Sequence, residues 1–167
     1  MANSGSVSTN KYTYSDGAAM GLKCTWEIVS QSSADNTSII SWKLESEGAS
    51  GYEFYTGNIS LVIDGATVYS QPSSILIQGG GAWSTSGTLT VEHDADGTKT
   101  LDISIVAGIW EYTSSNCTGA GTFELDPIFR GLVYIGGDAY QVYIGNGTDW
   151  ELYAPHIGNG TDWDVCG

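Results

Sequence analysis

The stretch Gly21-Leu-Lys-Cys-Thr-Trp-Glu-Ile28 alternates without a break. Leu22, Cys24, Trp26 and Ile28 fall on one phase, and Gly21, Lys23, Thr25 and Glu27 on the other. Successive side chains of a strand point to opposite faces, so this period of two predicts a strand with one buried face. The same rule holds outward in both directions. Ile40, Trp42 and Leu44 alternate with Ser41, Lys43 and Glu45, and Ile59, Leu61 and Ile63 follow suit. Leu89 and Val91 continue the pattern with Trp83 in phase, and Leu101, Ile103, Ile105, Ala107 and Ile109 make the longest run. Cys117, Phe123 and Leu125 close the set, with Gly119 and Gly121 on the inner phase. No segment carries a 3.6-residue apolar stripe, so helix is not expected.

Turn chemistry punctuates these runs. Ser32–Ser38, Asp64-Gly65-Ala66, Gln78–Ala82 and His93–Lys99 are rich in Gly, Asp, Asn and Ser. Such residues tolerate the left-handed backbone that tight turns require. Eight or nine half-apolar strands in about 125 residues predict two antiparallel sheets packed face to face. The fold class is all-β, a sandwich of immunoglobulin-like or jelly-roll type. Strand spacing does not choose between those topologies. Asp126-Pro127 ends the sandwich, because proline cannot continue a central strand. The expected organisation is a sandwich over 1–127, a linker at 128–131, and an appendage over 132–167.

The appendage repeats itself. Ile144-Gly-Asn-Gly-Thr-Asp-Trp150 returns as Ile157-Gly-Asn-Gly-Thr-Asp-Trp163, and Tyr134–Tyr143 is a degenerate earlier copy. Gly145-Asn146-Gly147 and Gly158-Asn159-Gly160 suit a three-residue hairpin loop with a bulge glycine. That loop would set Ile144 opposite Thr148 and Val142 opposite Trp150, with apolar groups sharing one face. A small β-hairpin meander is expected, and a unit this small must pack on something else.

Composition narrows function. The 167 residues include 23 Gly and only 14% charged residues, with 5 Lys or Arg against 19 Asp or Glu for a net charge of −14. Nucleic-acid recognition needs clustered basic side chains, so nucleic acid is an unexpected partner. An anionic membrane is equally unexpected, and no apolar run reaches the roughly 20 residues that span a bilayer. No basic-then-apolar leader opens the chain, so synthesis in a cytoplasm is the expectation. Three cysteines suit reduced thiols, although the sequence leaves open whether Cys24 and Cys117 pair. Asn-x-Ser/Thr triplets at Asn36, Asn58, Asn116, Asn146 and Asn159 then read as turn chemistry rather than glycan acceptors.

Chemistry-bearing motifs are sparse. Asp94-Ala-Asp-Gly97 is half a calcium loop, but the chain passes straight into a strand without further ligands. No metal or cofactor is expected. His93 and His156 are the only histidines, and neither sits in a hydrolase signature. A hydrolase would require one of them beside a nucleophile in a cleft; no catalytic residue is assigned, and the chain reads as a non-enzyme. Cys24 and Cys117 share the inner phase and read as buried filler. The aromatics are more informative. Trp110 and Tyr112 fall on the outer phase, Tyr52 and Tyr55 bracket a strand start, and Trp150 and Trp163 belong to the repeat. These six are the candidate contacts for a protein interface or for stacking on a sugar ring.

Several segments in order carry a resemblance that covers residues 1–130: Met1–Ser6, Leu22–Glu45, Gly57–Ser70, Gly87–Trp110 and Asn116–Arg130. Together they are similar to the N-terminal domain of minor structural and tail proteins of tailed phages that infect Gram-positive bacteria. The C-terminal repeat resembles short repeat tails on structural proteins of such phages. The resemblance implies a virion component assembled in the host cytoplasm: a tail, baseplate or fibre part, or a capsid decoration. It implies partners in the particle, namely a symmetric homo-oligomer and other virion proteins. A carbohydrate-binding module gripping host-surface glycans is the alternative.

Overall fold

The computed structural model describes residues 2–73, 75–109 and 116–128, together with the backbone of six short strands between 132 and 165. Ten strands build the sandwich: β1 (Ser4–Ser8), β2 (Tyr12–Thr13), β3 (Ala19–Ser32), β4 (Thr37–Gly48), β5 (Glu53–Ile63), β6 (Ala66–Gln71), β7 (Ile75–Gln78), β8 (Ser84–Glu92), β9 (Thr100–Ile109) and β10 (Asn116–Glu124). All strand pairs among them are antiparallel. The first sheet runs β1-β3-β4-β8, with β2 also on β3; the second runs β10-β9-β5-β6, with β7 also on β5. The expected all-β sandwich is thus the fold. Its longest hairpin, β3–β4, stays within one sheet, whereas the immunoglobulin order puts strands B and C on opposite sheets.

The alternation read from the sequence is the core. Leu22, Cys24, Trp26, Ile40, Trp42 and Leu44 from the first sheet and Ile59, Leu61, Ile63, Leu101, Ile103, Ile105 and Ala107 from the second are buried in one cluster. Asp64 and Gly65 both have positive φ, 51° and 76°, so β5 and β6 join by the tight turn that an Asp-Gly pair favours. The His93–Lys99 segment bends equally sharply, with Asp94 N–H donating to Thr98 O. It does not make a hairpin between sheet neighbours, however: β8 belongs to the first sheet and β9 to the second.

Two features were not expected. The N-terminal segment forms β1 and β2, and β1 also meets the far sheet: Ala2 N–H donates to Glu124 O and Asn10 N–H to Thr118 O. Inside the first sheet, Gly5, Trp26, Trp42 and Gly87 stand in one cross-strand row. The two indoles lie over the glycines that flank them. A Cβ on Gly5 would meet Trp26 Nε1 at 2.8 Å, and one on Gly87 would meet Trp42 Cζ2 at 2.7 Å. Glycine is what lets two directly opposed tryptophans splay apart within one layer. Asn58 and Asn116 are also no turn residues. Asn58 lies within β5, where the register against β9 shifts between Thr56 and Ile59, and Asn116 begins β10 opposite Gly108.

Beyond the sandwich come β11 (Leu132–Ile135), β12 (Asp138–Gln141), β13 (Tyr143–Gly145), β14 (Trp150–Leu152), β15 (His156–Gly158) and β16 (Trp163–Val165). They pair as three separate two-stranded hairpins rather than a continuous meander. The expected register is also corrected. Gly145 pairs with Trp150 and Ile144 with Glu151, and Gly158 likewise pairs with Trp163. Gly145 and Gly158 therefore close ladders instead of forming turns, and each connection is one residue longer than expected. Asn146, Gly147, Asn159 and Gly160 lie outside the described residues.

Candidate functional site

The sequence-predicted contacts are distributed unevenly. Trp110 and Tyr112 lie outside the described residues, and Trp150 and Trp163 are placed only as backbone at the starts of β14 and β16. Tyr52 and Tyr55 are in place. Tyr55 is 42% exposed on the outer face of the second sheet, directly opposite Leu76, itself 43% exposed. Two residues along the same ladder, Glu53 pairs with Gln78, and Gln78 Nε2 donates to Glu53 Oε1 at 2.8 Å. The result is a small block: an apolar pair beside a polar pair, held by β5 and β7.

Tyr52 takes a different role. It is half-buried against the core, and its hydroxyl donates to Asp16 Oδ2 at 2.6 Å. Its ring packs on Tyr14 at 5.6 Å, and Tyr14 in turn meets Tyr12 edge-on at 5.1 Å. Tyr14 hydroxyl donates to Glu53 O, which ties this cluster to the start of β5. The Tyr14–Ala18 turn positions Asp16: Tyr14 N–H donates to Ala18 O, and Ala18 N–H donates to Asp16 Oδ1. The Tyr52 hydroxyl, then the Ala18 amide, hold the Asp16 carboxyl below its ordinary range. The same bond and the nearby carboxylate charge push the Tyr52 phenol up. The sequence did contain a signal for the missed partners. Tyr12-Thr-Tyr14 alternates, and Ser15-Asp16-Gly17 is a turn.

The reactive groups are inside. His93 is 7% exposed, with Nε2 at 2.7 Å from Ser38 Oγ and Nδ1 at 2.8 Å from Gly97 O. A carbonyl only accepts, so Nδ1 carries a proton, and in the neutral ring Nε2 accepts from the Ser38 hydroxyl. That is the local arrangement of a serine–histidine pair. Ser38, however, has 0% exposure, and Gln31 Nε2 also donates to its oxygen. No substrate atom can reach that hydroxyl. The network instead pins loops: Asn36, at φ 58°, donates from Nδ2 to the carbonyls of His93 and Asp94. Gly97 O also accepts from Ile128 N–H, which fixes the end of the sandwich to the His93–Lys99 bend.

Cys24 and Cys117 are free and buried, and burial pushes the Cys24 thiol up to about 12 and the Cys117 thiol upward. Asp96, in the half calcium loop, is committed to the Thr98 hydroxyl and amide, which lower its carboxyl. Among the described residues, no three His, Cys, Asp or Glu side chains gather as a metal-ligand set, and no helix is long and apolar enough to cross a membrane. No known protein family matches the chain, and no curated protein matches it.

Proposed function

We propose that this protein is a non-catalytic structural component of a tailed-phage particle, in the tail, baseplate, fibre or capsid decoration, working through protein–protein contacts. The observation that carries the reading is the disposition of its chemistry. His93, Ser38 and both described thiols are enclosed, while Tyr55 and Leu76 stand side by side in solvent. Exposed aromatic–aliphatic pairs with a polar rim are what a partner surface covers, whereas an acyl-transfer site would need its nucleophile at a surface. The segments Leu22–Glu45, Gly57–Ser70, Gly87–Trp110 and Asn116–Arg130, taken in their sequence order, support the particle assignment by their resemblance to phage structural proteins. The test is protein mass spectrometry on gradient-purified virions of the phage that encodes the chain. A fixed copy number per particle is expected; absence from washed particles sinks the reading.

The second reading is carbohydrate binding, favoured by one observation: a half-buried tyrosine, Tyr52, hydrogen-bonded to an exposed acidic side chain, Asp16. Rings and carboxylates in contact are the parts a sugar site uses. Glycan-array binding lost in both Tyr52→Ala and Asp16→Asn, and kept in Tyr55→Ser, would establish it over the first.

A further inference from the structure

Each sheet has two edges, and three of the four edges are blunted. The β1 edge and the β10 edge cover each other, through Ala2 N–H to Glu124 O, Asn10 N–H to Thr118 O, and Thr118 N–H to Asn10 Oδ1. The β6–β7 edge is broken by Pro72 between its two strands, and the β5–β6 ladder shifts register between Leu61 and Val62. Short strands, prolines and irregular ladders are how proteins discourage edge pairing. β8 has none of these. It pairs with β4 through an unbroken ladder from Thr37↔Glu92 to Glu45↔Ser84 and ends the first sheet. Its sequence, Ser-Thr-Ser-Gly-Thr-Leu-Thr-Val-Glu, contains no proline, no lysine and one charge, at its last residue.

The direction of its backbone groups follows from the bonds at either end. Ser46 N–H donates to Trp83 O, and His93 N–H donates to Asn36 O. In an antiparallel ladder hydrogen-bonded pairs alternate, so the odd residues of β8 face β4. Ser84, Ser86, Thr88, Thr90 and Glu92 therefore aim their N–H and C=O groups away from the sheet. Among the described residues nothing is hydrogen-bonded to them. The inner phase of β8 is also incompletely covered. Thr85, Gly87 and Leu89 are half-buried, whereas their partners Leu44, Trp42 and Ile40 are buried.

We propose that β8 is a self-pairing edge: two copies of the chain join antiparallel about Thr88, fusing their first sheets across a two-fold axis. This register is self-complementary. Thr88 meets the partner's Thr88, Ser86 meets the partner's Thr90, and Ser84 meets the partner's Glu92. All are outward-aimed residues, so each pair exchanges N–H···O bonds. Cross-strand Ser–Thr and Thr–Thr pairs on the solvent face add to the ladder. The only charge on the strand falls opposite a serine, so no like charges are opposed. On the other face Leu89 lies opposite the partner's Gly87 and covers the flank that one copy leaves half-open. A symmetric interface of this kind is the commonest route to a closed homodimer. The proposal goes beyond the particle reading and does not rest on it, since a dimer would hold for a protein of any role.

The test uses the full chain. Sedimentation equilibrium should show a concentration-dependent dimer. Thr88→Pro should weaken it at least about tenfold while leaving the circular dichroism of the monomer unchanged, because proline on an edge with its nitrogen to solvent removes no internal bond. Hydrogen-bonded pairs sit about 5.5 Å apart at Cα, within disulfide reach. On a Cys166→Ser background, Thr88→Cys should therefore give a covalent dimer on mild oxidation, and Ser84→Cys should not. A wild-type chain that stays monomeric at all concentrations overturns the proposal. So does a dimer that Thr88→Pro leaves intact, or equal cross-linking at positions 84 and 88. If Thr88→Pro fails to fold, the two cysteine variants decide alone.

Discussion

The row Gly5–Trp26–Trp42–Gly87 makes a prediction about what holds the first sheet at its natural spacing. Consider Gly5→Ala. The added methyl would lie 2.8 Å from Trp26 Nε1, 2.9 Å from Trp26 Cε2 and 3.0 Å from Phe123 Cε1. Neither ring is a free end: Trp26 is 3% exposed, and the two rings meet edge-on at 5.2 Å. Overpacking of a filled core costs about 1–3 kcal/mol, against about 0.5–1 kcal/mol gained by replacing glycine in a strand. The net expectation is a loss of about 1–2 kcal/mol. Trp26→Phe removes the indole nitrogen and its neighbouring ring atoms, the groups the methyl would strike. It also removes an N–H that is buried without a partner. The double variant should be less destabilised than the sum of the singles by about 1 kcal/mol. The assay is urea unfolding followed by far-ultraviolet circular dichroism, comparing midpoints at equal slope. Strict additivity, or a Gly5→Ala chain as stable as wild type, would refute the claim that glycine is there to admit the indole.

Three further outcomes follow from the same structure. His93→Ala leaves the Ser38 hydroxyl without its acceptor and Gly97 O without one of its two donors in a buried site, so urea unfolding should show a loss of about 2–4 kcal/mol, with His93→Gln recovering part of it. Cys24 and Cys117 should resist alkylation at pH 8 and react only in denaturant, as mapped by mass spectrometry; labelling of Cys24 in the native chain would contradict its burial. The Tyr52–Asp16 contact should loosen at both ends of the pH scale. Asp16 is depressed, so its contribution is present above its unfolded pKa and lost as pH falls through the folded value. Tyr52 is raised, so its contribution is present below its unfolded pKa and lost as pH rises through the folded value. Ultraviolet titration should find the Tyr52 phenol ionising late, and Asp16→Asn should bring it back toward the ordinary range.

The sandwich was legible because each strand repeats a single physical fact, alternate burial, many times over. Leu22 to Ile28 and Leu101 to Ala107 report their inner face at every second residue, and the buried set follows them. What alternation does not carry is which strands become neighbours. His93–Lys99 has the composition of a hairpin turn and bends like one, yet it delivers the chain to the opposite sheet. β1 was missed for a related reason. Ser4, Gly5, Ser6, Val7 and Ser8 offer only Val7 as an apolar buried side chain, because the inner position beside Val7 is filled by an indole from β3 instead. A glycine that makes room for a neighbour's ring looks, in sequence, like a loop residue.

The candidate site was half legible for a reason that bears on its reading. Tyr55 shares the odd phase of the buried Ile59, Leu61 and Ile63, so alternation alone would turn it inward; the register shift between Thr56 and Ile59 buries Thr56 instead and leaves Tyr55 outside. Asp16, Tyr14 and Tyr12 could not be attached to Tyr52, because the contact spans 36 residues and depends on β2 lying beside the start of β3. The same limit applied to β8. Its residues are ordinary strand residues, and only the sheet order reveals that, among the described residues, its outward amides have no hydrogen-bonded neighbour while every other edge is broken or covered. Chains that must stay apart place prolines, lysines or bulges on such an edge. This chain carries −14 overall, enough to keep copies apart in general, yet leaves β8 with a single carboxylate at its end. A general repulsion combined with one undefended, self-complementary strand is a way to admit one geometry of association and discourage the rest.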